Sequence, residues 1–118
     1  MAATKDDAAL MVQILQWGSA MGIEEALGAV FSDDFNPETA SETDPHVRKV
    51  LYYGEAIGTF VKQGLLDRGL VLDLFAMEFS WKRVAPAALR VRERSGEPRM
   101  YENYEALVGS RVPAGAAS

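Results

Sequence analysis

The sequence predicts an all-α fold, a single-domain bundle of about five helices. Three observations carry this. Apolar residues recur at three- and four-residue spacing along most of the chain, the period of a buried helix face. The alternating β-branched runs and Asn-Gly or Asp-Gly turns that mark hairpins are missing. The length of 118 residues, with 48% hydrophobic and 25% charged, suits one globular core. The domain is expected over residues 1–109, followed by the small, polar and disordered tail SRVPAGAAS at 110–118.

The first helix is expected from about Asp7 to Met21. Leu10, Ile14, Trp17 and Met21 form one stripe and Met11, Leu15 and Gly18 an adjacent one. That arc is wider than the ~100° of an ordinary surface helix, so this helix must touch two neighbours or a second subunit. Gly22 permits a turn, and Ile23 to Phe31 make a shorter second helix with Glu24 and Glu25 at its favourable, positive end. The acidic loop SDDFNPETASETDP follows.

Asp44-Pro45 is a strong start signal for the third helix, because Asp accepts a free backbone N–H and Pro at the first position has none to lose. The helix runs to about Gln63, with Val47, Val50, Leu51, Gly54, Ile57, Gly58 and Val61 on one face. In its middle, YYGEAIGTF spends two positions on glycine, each at a cost of roughly 1 kcal/mol relative to alanine. Glycines four apart make a notch that a bulky neighbour can fill. With Gly64 as left-handed cap, Leu65 as closing residue and Asp67 capping the next helix, the chain folds back antiparallel. This sets Leu74, Met77 and Trp81 opposite the notch.

Helix four is expected from about Arg68 to Arg94, kinked or broken near Pro86, whose ring collides with the carbonyl of Lys82. After Gly96 and Pro98 a fifth helix covers Arg99 to Val108. Helices three to five thus form an antiparallel core.

Composition narrows function. With no cysteine the chain has no disulfide, thiolate or Cys-held zinc and suits a reducing cytoplasm. The longest uncharged run, residues 8 to 23, is shorter than the ~20 residues of a spanning helix. No secretory signal is evident, so a soluble, unprocessed, cytoplasmic protein without a membrane partner is expected. Net charge is −5, unevenly spread: residues 24 to 45 hold seven acids and no base, while residues 82 to 99 hold six bases and two acids. Such blocks either attract one another or remain two separate solvated faces.

Chemistry-bearing constellations are few. His46 is the single histidine, which disfavours zinc. The run Asp34, Asn36, Glu38 has the alternation of a calcium loop but Thr39 and Pro45 at its two diagnostic positions. Nucleophile elbows and phosphate loops are missing, so neither a catalytic residue, a cofactor nor a metal is assigned. Glu55 lies at the edge of the apolar arc of helix three. Glu78 lies well inside that of helix four, where a raised pKa could make an acid catalyst or an i, i+4 pair with Lys82 could satisfy it. Arg92 is expected opposite Tyr101 and Glu102, tying two helices together. The row Arg83, Arg90, Arg94 could meet phosphates, but three charges on an acidic chain make nucleic acid an unfavoured partner.

Taken together, VRKVLYYGEAIGTFVKQGLLD, the Trp81 of FSWKRVAP, the arginines of LRVRER and the closing YENYEAL resemble a bacterial family known as domain of unknown function four-seven-six-zero. The resemblance covers residues 47–108. It implies an all-helical fold with Glu55, Trp81 and an arginine at or near Arg92 as recurrent positions, and it implies no activity.

The leading expectation is a non-catalytic interaction or regulatory module, homodimeric through surplus apolar surface on the first and last helices, with a further protein partner also open. The alternative is a small-ligand domain with a partly apolar pocket near Trp81 and Arg92, lined by the cluster Tyr53, Glu55, Glu78, Trp81, Arg92 and Tyr101. An acid-base enzyme relying on Glu78 ranks third.

Overall fold

Thr4 opens the first helix. Its hydroxyl accepts the Asp7 N–H at 3.2 Å while the Asp7 carboxylate accepts the Thr4 N–H at 2.7 Å, a reciprocal cap. In the computed structural model, which describes residues 2–109, six helices follow in order: α1 Lys5–Met21, α2 Ile23–Val30, α3 Pro45–Lys62, α4 Arg68–Leu74, α5 Met77–Ser95 and α6 Glu102–Gly109. The described residues include no strand. The expectation of a disordered tail at 110–118 lies outside the described residues.

Helix α3 is the axis of the fold, packing most extensively on α6 and then on α2 and α5. The Asp44 side chain accepts the N–H groups of His46 and Val47 at 2.8 and 3.2 Å, with Pro45 at the first position. At the other end Gly64 takes the left-handed conformation, φ 77°, and the Leu65 N–H returns to the Phe60 carbonyl at 2.9 Å. The apolar residue tucked in at this corner is Leu66, 3% exposed; Leu65 faces water.

Two expectations need correction here. Helix four is not one helix kinked at Pro86 but two. The break falls at Phe75 and Ala76, with Phe75 extended at φ −110°, ψ 142°, while α5 runs through Pro86 without interruption. In a single helix the buried pair Val71 and Leu72 would point roughly 160° around the axis from the buried line Met77, Ser80, Val84. Both sets are buried, which requires a change of direction between them. Proline gives up only one backbone bond, and burial of Val84, Ala87 and Ala88 on either side holds the helix through it.

The second correction concerns the notch. Gly54 and Gly58 are packed, but against α6 rather than against Leu74, Met77 and Trp81. A Cβ built on Gly54 would run into the Tyr104 ring, and one on Gly58 into the Asn103 backbone carbonyl. Trp81 stands one layer further out, its ring 4.9 Å from that of Tyr104 at 60°. The packing therefore centres on α3 and α6, with α5 beside them.

The oppositely charged blocks do meet. From α5, the Arg83 guanidinium donates to the carbonyls of Val30, Ser32 and Phe35 at 2.6, 3.3 and 3.2 Å and lies over the Phe35 ring. Arg90 donates to the carbonyls of Glu38 and Ala40, and Arg90 and Arg94 both pair with the Glu42 carboxylate. The row of arginines thus straps the acidic loop onto α5, chiefly through backbone oxygens.

Candidate functional site

Two neighbouring regions concentrate the unusual side chains. The first is a polar collar around the start of α6. Tyr101, just ahead of that helix, has φ 60°, a conformation that costs a bulky residue energy. The first turn of any helix leaves N–H groups without partners. Here they are satisfied from another element: the Glu55 carboxylate on α3 accepts the N–H groups of Asn103 and Tyr104 at 3.0 and 2.9 Å. One turn along α3, the Thr59 hydroxyl accepts from the Asn103 amide at 3.0 Å. From α5, Arg92 donates to the Met100 carbonyl at 2.7 Å and to Glu105 at 2.9 Å. Arg92 therefore ties two helices together as expected, through Met100 and Glu105 instead of Tyr101 and Glu102.

The second region is a cavity of about 270 Å³ under α1 and α2, partly open to solvent. The α3 wall includes Val50, Tyr53 and Gly54; the α4–α5 junction supplies Phe75, Ala76 and Met77; Tyr104 and Ser80 close the far side. Leu15 and Phe31, 44% and 46% exposed, stand at its mouth. The Tyr53 hydroxyl donates to the Ile14 carbonyl at 2.8 Å, a reach possible because Gly18 has no Cβ to meet it. Ser80 donates to the Met77 carbonyl at 3.1 Å and lies 2.5 Å from the Tyr104 hydroxyl.

Burial pushes the Tyr53 phenol up to about 12 and raises that of Tyr104 further, against a smaller opposing effect of the Ser80 hydrogen bond. Because these folded-state values exceed the ordinary tyrosine value near 10, their contribution to stability is complete below pH ~10 and is lost as pH rises towards 12. Tyr53 is expected to ionise only as the domain unfolds in alkali, seen as a phenolate absorbance rise that coincides with loss of helical circular dichroism. A Tyr53 phenolate appearing near pH 10 with the helices intact would contradict its burial.

Of the expected cluster, Glu55, Arg92 and Tyr101 gather at the start of α6, and Trp81 reaches the same helix through Tyr104. Tyr53 belongs to the cavity, whose lining includes neither Trp81 nor Arg92. Glu78 falls in the first turn of α5, half-buried, a favourable place for a carboxylate at a helix start. Sequence reasoning missed Ser80 and Thr59. Ser80 had a signal, a small hydroxyl in line with Met77 and Val84 at helical spacing. Among the described residues no group of three or more His, Cys, Asp or Glu could hold a metal ion, and no helix is long and apolar enough to cross a membrane.

No curated protein and no solved structure matches the chain at a significant level. One family does, and its match takes in α1, α2 and the acidic loop, which the resemblance over residues 47–108 left out. Matched over residues 5–110, nearly the whole span of the helical domain, the chain belongs to the family described as Domain of unknown function (DUF4760).

Proposed function

We propose that the domain is a non-catalytic interaction module that pairs with a second copy of itself through the outer face of α1. One observation carries this reading: the solvent side of α1 beyond Asp7 bears no charge. Ala8, Val12, Leu15 and Ser19 form one exposed line and Ala9, Gln13, Gln16 and Ala20 another, with Val12 53% exposed. The free face of a surface helix normally carries charged residues. Tyr52, 62% exposed and edge-on to Trp17 at 5.9 Å, extends the patch beside α1.

A second copy suits this face better than a charged partner. An uncharged surface offers nothing to a charged one, whereas a two-fold contact sets the patch against itself. Two chains of net charge −5 repel, and repulsion is weakest where the meeting surfaces carry no charge. The small residues Ala8, Ala9 and Ala20 allow the two helices to approach closely. A cysteine-free composition supports a reducing cytoplasm as the setting for such a dimer.

The alternative pocket at Trp81 and Arg92 has less behind it, since the Arg92 guanidinium already serves Met100 and Glu105. Light scattering of the purified protein should return twice the chain mass, and Val12→Lys with Leu15→Glu should return the single-chain mass with unchanged helicity. A wild-type protein that stays monomeric at high micromolar concentration would overturn the proposal.

A further inference from the structure

We infer that the cavity beneath α1 and α2 is a binding site for a small, uncharged, largely apolar molecule that carries one N–H or O–H donor. Native interiors pack as densely as organic crystals and keep few voids larger than a water molecule, yet about 270 Å³ lies against the buried side chains of Val50, Tyr53 and Met77. An apolar cavity of roughly 150 Å³ holds benzene, so this one has room for one substituted ring or two fused rings. Occupancy would restore the contacts that an empty wall forgoes.

The choice of donor follows from counting protons on the buried side-chain oxygens. Tyr53 has committed its hydroxyl proton to the Ile14 carbonyl. Ser80 has committed its proton to the Met77 carbonyl, so in the 2.5 Å contact between Ser80 and Tyr104 the proton comes from Tyr104. All three hydroxyls are spent as donors, and only lone pairs remain. A polar contact made by these oxygens is therefore one in which the ligand donates. At the rim Glu24 adds further acceptor oxygens, which disfavours an anion.

One chain forms the whole cavity, so the inference does not rest on dimerisation, although Leu15 and Ser19 belong both to its lining and to the uncharged face. Indole, benzofuran and benzoate serve as probes, since indole and benzofuran share a shape and differ in the N–H. In an amide-detected NMR titration, indole is expected to shift the signals of Leu27, Ala76 and Met77 saturably. Benzofuran should bind three- to tenfold more weakly, about the value of one neutral hydrogen bond, and benzoate more weakly still. Tyr104→Phe, which keeps the ring, should reduce the preference for indole. Leu27→Trp, at the half-buried rim, should block all three probes. Light scattering on the same samples reads oligomeric state separately. No saturable indole binding, equal or tighter binding of benzofuran or benzoate, or undiminished binding to Leu27→Trp would each overturn the inference.

Discussion

Gly58→Ala is expected to destabilise the domain by about 2 kcal/mol or more, although alanine is the better helix former by roughly 1 kcal/mol. The new methyl would meet the carbonyl of Asn103, a backbone group that cannot rotate aside, so α6 must move off α3. Overfilled cores lose ~1–3 kcal/mol, and here the displacement also loosens the hydrogen bonds that Glu55 makes to the same turn. Gly54→Ala should behave alike. Its methyl would strike the Tyr104 ring, which is held by Ser80 and by Trp81 and has no free direction to swing. Gly28→Ala is the internal control, since nothing lies within 4 Å of its position, and it should raise stability by up to ~1 kcal/mol. For a domain of this size a loss of 2 kcal/mol lowers Tm by about 10 °C. Thermal unfolding of the three variants decides the matter: if Gly58→Ala melts as high as Gly28→Ala, α3 and α6 are not packed backbone to backbone.

The glycine notch also marks where the sequence stops being informative. Spacing disclosed that something bulky approaches Gly54 and Gly58, because a missing Cβ has local meaning, but not whether it comes from the next helix or the last. That choice depends on how the chain turns at Phe75, where no glycine or proline stands. The clue was the change of phase between Leu72 and Met77, weaker to the eye than Pro86 yet decisive in the fold. Helix ends governed by single residues were legible: Asp44, Gly64 and Asp67 cap as their chemistry dictates. Contacts to backbone carbonyls were not, since Arg83 and Arg90 bind oxygens that every residue owns. The cavity was illegible for a related reason, being bounded by α1, α2, α3, α6 and the α4–α5 junction and encoded in none of them alone.

Glu55→Ala is expected to cost about 1–3 kcal/mol, the range for stranding donors that are no longer solvated. Helices usually recruit the residue just ahead of them as a cap. For α6 that residue is Tyr101, in the left-handed region and with no short side-chain acceptor, so the cap comes from α3. Glu55 answers two needs at once, accepting two backbone N–H groups and setting negative charge at the positive end of the helix. Glu55→Gln separates them. Its amide oxygen still accepts while the charge is gone, and it should recover half or more of the stability lost in the alanine variant. Hydrogen exchange supplies the local reading, because the amides of Asn103 and Tyr104 should exchange faster in Glu55→Ala while α2 keeps its protection. Were all helices to lose protection equally, Glu55 would be a general support of the core. Selective loss at α6 would identify it as a cap lent by one helix to another, and would explain physically why a carboxylate stands on α3 between two glycines.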